Sequence, residues 1–303
     1  MPPTPAPRDL RFLDPAVIAK LGTMELKART VVEGFLAGLH RSPYKGFSVE
    51  FAEYRQYIPG DDLSTIDWKV YARSDRHYVK KFEEETNLNC HVMLDVSGSM
   101  GYGGSRGITK FEYSQCLAAS LAYLMNRQRD GSGLTAFDDR IVSMLPASAR
   151  PGHLHAMLVT LDRLALGQHT NVAKPMHQLA ESINKRGMVV LISDLLDEPD
   201  RVIRGLKHFR FSGSDVIVFH VLDPDELSFP FERSTRFEDL ETDDHVLAIP
   251  VMVREHYVKA MQELIERYRR ELGAAGIDYH LLTTDQPLEL GLMAYLSTRG
   301  RAF

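Results

Sequence analysis

The chain has 303 residues, 44% hydrophobic and 25% charged, enough for two ordinary domains or one large α/β domain with additions. Its formal net charge of −5 offers no basic stripe for nucleic acid. No stretch reaches the roughly 18 uninterrupted apolar residues of a membrane span. Cys90 and Cys116 have neither metal-ligand spacing nor a disulfide framework, and they read as small buried residues of a cytoplasmic protein.

Residues 1–13 are proline-rich, lack the apolar core of a signal peptide and read as a disordered lead. From Asp14 the apolar positions Ile18, Leu21, Ala28, Val32, Phe35 and Leu39 keep helical spacing, with a break expected near Gly22. The run from Gly46 to Tyr57 alternates aromatic and polar residues, as a strand with one wet face does. Pro59-Gly60-Asp61-Asp62 is a turn signal, and Ile66-Asp67-Trp68-Lys69 holds the single Trp. Residues 14–88 thus form an amino-terminal helix and β-rich extension. Its charges either pair within a structural layer braced by Trp68 or build a docking surface.

Residues 89–303 follow a different grammar. His91-Val92-Met93-Leu94-Asp95 is an apolar strand ending in a carboxylate, and Val96-Ser97-Gly98-Ser99-Met100 follows as a loop. Gly101–Gly107 reads as flexible, and the helix after it buries Tyr113, Leu117, Leu121, Leu124 and Met125 before Gly131 closes it. Leu134–Phe137 and Ile141–Leu145 flank a tight turn at Asp138-Asp139-Arg140, hence an antiparallel pair. Helices are predicted over residues 152–165 and 172–185. Met188–Ser193 is a second apolar strand, ending at Asp194. A helix through Val202, Ile203, Leu206 and Phe209 then leads to a third strand, Val216–Leu222. An inserted hairpin and helix occupy 223–273, with Asp243-Asp244 as the hairpin turn and Val253, Tyr257, Met261, Leu264, Tyr268 and Leu272 as the helix's inward face. A strand at 277–282 and a helix over Pro287–Leu296 complete the chain.

Strands alternating with helices predict an α/β fold, a doubly wound and mainly parallel sheet with helices on both faces. In such sheets a ligand crevice opens beside the carboxyl ends of the strands where strand order reverses. Asp95 and Asp194 each end an apolar strand and would share that crevice if their strands are neighbours. Asp95, Ser97, Ser99, Thr170 and Asp194 then offer two carboxylates and three hydroxyls, an oxygen set that suits Mg²⁺, with Mn²⁺ or Ca²⁺ as substitutes.

Asp95-Val96-Ser97-Gly98-Ser99, Thr170 and Asp194 resemble the Asp-x-Ser-x-Ser loop, second-loop Thr and third-loop Asp of the metal-ion-dependent adhesion site in von Willebrand factor type A domains. The resemblance covers roughly residues 89–222 plus the strand near 277–282. The second loop departs from the family in reading Gly-Gln-His-Thr, and the third in reading Ser193-Asp194-Leu195. It implies a von Willebrand A-like fold and a metal whose open position is filled by an acidic side chain of a partner protein. His169, Gly98 and Met100, beside the metal loop, are then the partner-contacting residues.

Gly60-Asp61-Asp62, Ile66-Asp67-Trp68-Lys69, Ala72-Arg73, Asp223-Pro224-Asp225-Glu226-Leu227 and Glu241-Thr242 are similar to the signature of a bacterial family called domain of unknown function fifty-eight. That resemblance implies partnership with a MoxR-type AAA+ ATPase in assembly or maturation of other proteins. Many members carry amino-terminal membrane spans, and none is expected here.

Enzymatic readings find less support. An aspartyl phosphotransferase would need a second Asp where Ser97 stands, and Gly101-x-Gly103-x-x-Arg106 misses the third glycine of a dinucleotide fingerprint. Ser99 lacks the Gly-x-Ser-x-Gly elbow. A non-catalytic module is therefore expected, the alternative being a metal-dependent hydrolase of phosphoester or peptide bonds.

Overall fold

A computed structural model describes residues 14–41, 54–56, 78–80, 88–105, 107–167, 173–183, 187–241 and 244–300. They fall into two compact units, one joining the residues up to Leu36 with those from Leu88 on, the other lying within Ala37–Asn87. In the smaller unit β1 (Tyr54–Gln56) and β2 (Tyr78–Lys80) pair antiparallel. The predicted lead 1–13, the Gly60–Arg73 segment with Trp68, Thr170, His169 and Asp243 lie outside the described residues.

The predicted first helix is two. The Asp14 side chain accepts from the Ala16 amide and Pro15 sets the first turn, so α1 (Pro15–Ile18) starts cleanly. The chain breaks around Gly22 and resumes as α2 (Met24–Arg41), whose Met24, Ala28, Val31, Val32 and Phe35 are buried.

The larger unit is built on one six-stranded sheet. Its strands are β3 (Asn89–Asp95), β4 (Gly131–Phe137), β5 (Ile141–Ser148), β6 (Met188–Ser193), β7 (Asp215–Leu222) and β10 (Asp278–Thr283), in the order β10-β7-β6-β3-β4-β5. Only β5, at the edge, runs antiparallel. The chain leaves β3 for β4 on one side and later returns to β6 on the other, so the order reverses between β3 and β6. The doubly wound, mainly parallel α/β fold expected from the sequence is the one observed.

Parallel strands covered on both faces are apolar or small, and β4 and β6 are buried along their whole length, β6 through aliphatic residues and β4 largely through small ones. One face carries α3 (Lys110–Arg127), α4 (His153–Arg163) and α9 (Glu289–Arg299). The other carries α5 (Ala173–Ser182), α6 (Pro199–Phe211) and α8 (Pro250–Ala274). Met93, Leu191 and Val218 of the sheet pack with Val202, Leu206, Phe209, Tyr268 and Leu272 of α6 and α8 in one core. Between β7 and α8 lie the short α7 (Pro224–Ser228) and the hairpin β8 (Thr235–Glu238) and β9 (His245–Ala248).

Two local expectations are corrected. Gly131 does not close α3. The helix stops at Arg127, Arg129 takes the left-handed turn at φ 60°, and Gly131 opens β4 with its amide on the Leu88 carbonyl at 2.9 Å. Val253 does not face the core. At 25 residues α8 is about 37 Å long, whereas β7 spans only about 26 Å, so the first turns of α8 overrun the sheet. Val251, Met252 and Val253 are exposed there, and burial begins in earnest at Met261.

Candidate functional site

Asp95 is the last residue of β3, and its backbone trajectory aims the carboxylate at the crevice beside β6. It is fully buried. Oδ1 accepts from the Ser97 amide at 2.9 Å and Oδ2 from the Ser193 hydroxyl at 2.5 Å. The bend that follows is held from both sides: Val96 donates to the Phe137 carbonyl, and its own carbonyl accepts from the Gly167 amide at 2.7 Å. Residues 98–101 then form a 3₁₀ turn. The Ser97 hydroxyl does not cap that turn but lies 3.1 Å from the Ser99 hydroxyl.

Asp194 follows β6 directly and is equally buried. Its Oδ2 accepts from the Lys110 ammonium at 2.8 Å, while Oδ1 accepts from the Leu196 amide at 3.3 Å. The nearby Ser99 hydroxyl also helps to lower the pKa of this carboxyl. Asp95, Ser97, Ser99 and Asp194 therefore form one polar cluster at the reversal point. The Gly167 amide is held on the same loop, and Thr170 and His169 lie outside the described residues.

Charge in this cluster is uneven. Burial, and then the neighbouring Asp194 carboxylate, push the Asp95 carboxyl up to about 7. Burial would raise Asp194 too, but the Lys110 ammonium outweighs it and holds that carboxyl below its ordinary range. Lys110 pays a desolvation penalty that its two carboxylate partners more than offset, so its pKa is raised. The second partner is Glu226, at 2.7 Å. Behind Asp194, His220 is pushed down to about 4 by burial and is neutral. A carbonyl only accepts, so His220 Nε2 carries the proton donated to the Asp194 carbonyl at 2.8 Å, and Nδ1 takes the Tyr279 hydroxyl at 2.6 Å.

The Gly101–Gly107 loop, expected to be flexible, is tied down in its described part. Asp223 accepts from the Gly104 amide and Asp225 from the Ser105 amide, at 3.2 and 2.9 Å. Those acids come from the Asp-Pro-Asp-Glu turn that opens α7. There Asp223 and Glu226 form a reciprocal capping box.

The hairpin insertion also reaches the site. Glu241 Oε1 accepts from the Ser99 amide at 3.2 Å, and a Cβ added to Gly98 would stand 2.6 Å from the Leu240 carbonyl. Gly98 is thus covered, and Met100 is wholly buried. Met100 turns into the core, and the Leu240 carbonyl lies over Gly98. Gly98→Ala is expected to push residues 240–241 off the loop while leaving the sheet intact. Faster amide exchange in 239–245, with unchanged exchange in β3 and β6, would register this.

Lys110, Glu226, His220 and Glu241 had not been singled out as site residues. A lysine at the first position of a helix opposes the helix dipole, and this was the available sign that a carboxylate waits for it. Glu241 stood out only within the family-like signature, and nothing local ties it to Ser99, 142 residues away.

The family described as "Protein of unknown function DUF58" matches residues 53–267. An uncharacterised protein of Mycobacterium bovis is 26% identical over 292 residues, covering 95% of this chain and 91% of that relative. Among solved structures, an aerotolerance-related membrane protein from Bacteroides fragilis is 17% identical with a TM-score of 0.50, covering 70% of this chain and 99% of that one. BatB from Bacteroides thetaiotaomicron is 14% identical with a TM-score of 0.48, over 70% and 99% of the two chains. No helix among the described residues is long and apolar enough to cross a membrane. With its family match running from the extension through five of the six sheet strands and into α8, the chain belongs to the DUF58 family.

Proposed function

We propose that this chain is a protein-binding module that holds Mg²⁺ between Asp95, Ser97, Ser99 and Asp194, with Thr170 as a further oxygen, and grips a partner's carboxylate through it. The observation that carries this reading is the shortage of cations at the reversal point, three carboxyl groups to one ammonium. Asp95, Asp194 and Glu226 are all buried or nearly so, yet the ammonium of Lys110 serves only the last two. Among the described residues Asp95 has hydrogen-bond donors but no cationic partner. Buried carboxylates beside two hydroxyls, with one positive charge short, are a donor set that fits a hard divalent cation. When bound, the metal would supply the missing charge and an open position for an incoming carboxylate oxygen.

The family resemblance suggests the kind of partner, a MoxR-type AAA+ ATPase acting in the assembly or maturation of other proteins. The test is a binding titration against the purified cognate ATPase, with Mg²⁺ and then with chelator. Binding is expected to require Mg²⁺ and to be lost in Asp95→Ala. Binding indifferent to both would overturn the reading. The hydrolase alternative asks for a base on Ser99, and the hydrogen bond its hydroxyl makes among the described residues is to the Ser97 hydroxyl. Turnover of p-nitrophenyl phosphate that vanishes in Ser99→Ala would favour that alternative.

A further inference from the structure

We propose that Glu241 is this chain's own carboxylate for the metal site, so that the β8–β9 hairpin is a built-in competitor which an external acidic partner must displace. The inference rests on the metal-binding reading above and names a regulation of the same site.

Four observations converge on it. First, the Ser99 amide sits in the turn that carries the two hydroxyls, and it is satisfied by a carboxylate from a distant insertion although Ser97 stands at the local capping position. Local capping would have needed no insertion. Second, the amide that Glu241 holds belongs to Ser99, whose hydroxyl is one of the two offered to the metal and lies 3.1 Å from that of Ser97, so the carboxylate is anchored on the metal loop itself. Third, the approach is intimate: with the Leu240 carbonyl 2.6 Å and the Glu241 Cγ 3.1 Å from where a Gly98 Cβ would be, the loop takes this cover only because residue 98 is glycine. Fourth, the tip is shaped and braced for the purpose. The Glu241 amide donates to Asp239 at 2.7 Å, fixing the turn. Phe237 of β8 stacks on Phe229 at 5.3 Å, which also meets Phe231 and Tyr257. Arg254 of α8 donates to the carbonyls of Phe229 and Phe231.

The hairpin is nonetheless built to leave. Val246 and Leu247 of β9 are 64% and 73% exposed, so the far side of the insertion holds it only weakly to the body of the protein. Its attachment at the loop end is a carboxylate, the chemical group a partner would bring.

The experiment uses the full chain and Mn²⁺ as the probe, with affinity read by calorimetry and hairpin motion by amide exchange of residues 239–245. Mn²⁺ is expected to slow hairpin exchange in the wild type. Glu241→Gln, which keeps the shape and removes the charge, is expected to bind Mn²⁺ roughly tenfold more weakly, because affinity follows ligand charge. It should also lose the Mn²⁺-induced protection, with Glu241→Asp falling between. Equal Mn²⁺ affinity in wild type and Glu241→Gln, or hairpin exchange that Mn²⁺ leaves unchanged or speeds, overturns the inference. If Asp95→Ala abolishes Mn²⁺ uptake in that case, the metal-site reading stands without it, and Glu241 is only a cap. No uptake by the wild type overturns both.

Discussion

Lys110→Met lowers the unfolding free energy by about 3–5 kcal/mol, the expected cost of removing one partner from a buried ion cluster. Methionine keeps most of the apolar stem, so the loss is chiefly that of the ammonium. It leaves Asp194 buried without a cation and Glu226, itself only slightly exposed, in the same state. The measurement is a shift in the urea midpoint at unchanged slope. Adding Asp194→Asn and Glu226→Gln to the same chain recovers much of the loss, since neutral groups no longer need a counter-charge. A fall of less than about 1 kcal/mol would place these charges in solvent-like surroundings.

Mg²⁺ at a hundred times its dissociation constant raises the stability of the wild type by about 2.7 kcal/mol if it binds only the folded chain. Asp95→Asn shows no such rise. The amide still offers an oxygen to the Ser97 amide, so the loop keeps its bend and the change isolates the charge. Without added cation the Asn variant is no less stable than the wild type, because a buried carboxylate lacking a cationic partner has become neutral. Thermal unfolding of both proteins, with Mg²⁺ and with chelator, reads this. A Mg²⁺ effect of equal size in the two would remove Asp95 from the metal's surroundings.

The sheet was legible because its signals are local. Apolar runs at 92–94, 188–192 and 216–222, the last broken only by His220, read as buried strands, and the helical spacing between them implies crossovers and hence parallel pairing. Asp95 and Asp194 were found the same way, as charges abutting such runs. Helix ends and faces were less legible. The end of α3 depended on Gly131 being needed in a strand where a Cβ would meet Asn89. The outward face of Val253 depended on how far α8 outruns its sheet, a length no periodicity reveals.

The sequence by itself determined the fold class, the two strand-end carboxylates and the hydroxyl loop between them, because spacing and hydrophobic period act within a few residues. Only the tertiary structure decided which other charges enter that loop. Lys110, Glu226 and Glu241 come from a helix start, a capping turn and a hairpin tip, far apart in the chain. They meet because the switch point between β3 and β6 draws connections from both halves of the sheet to one edge. The Asp-x-Ser-x-Ser loop is read from five residues, and its charge balance from the packing of the whole domain.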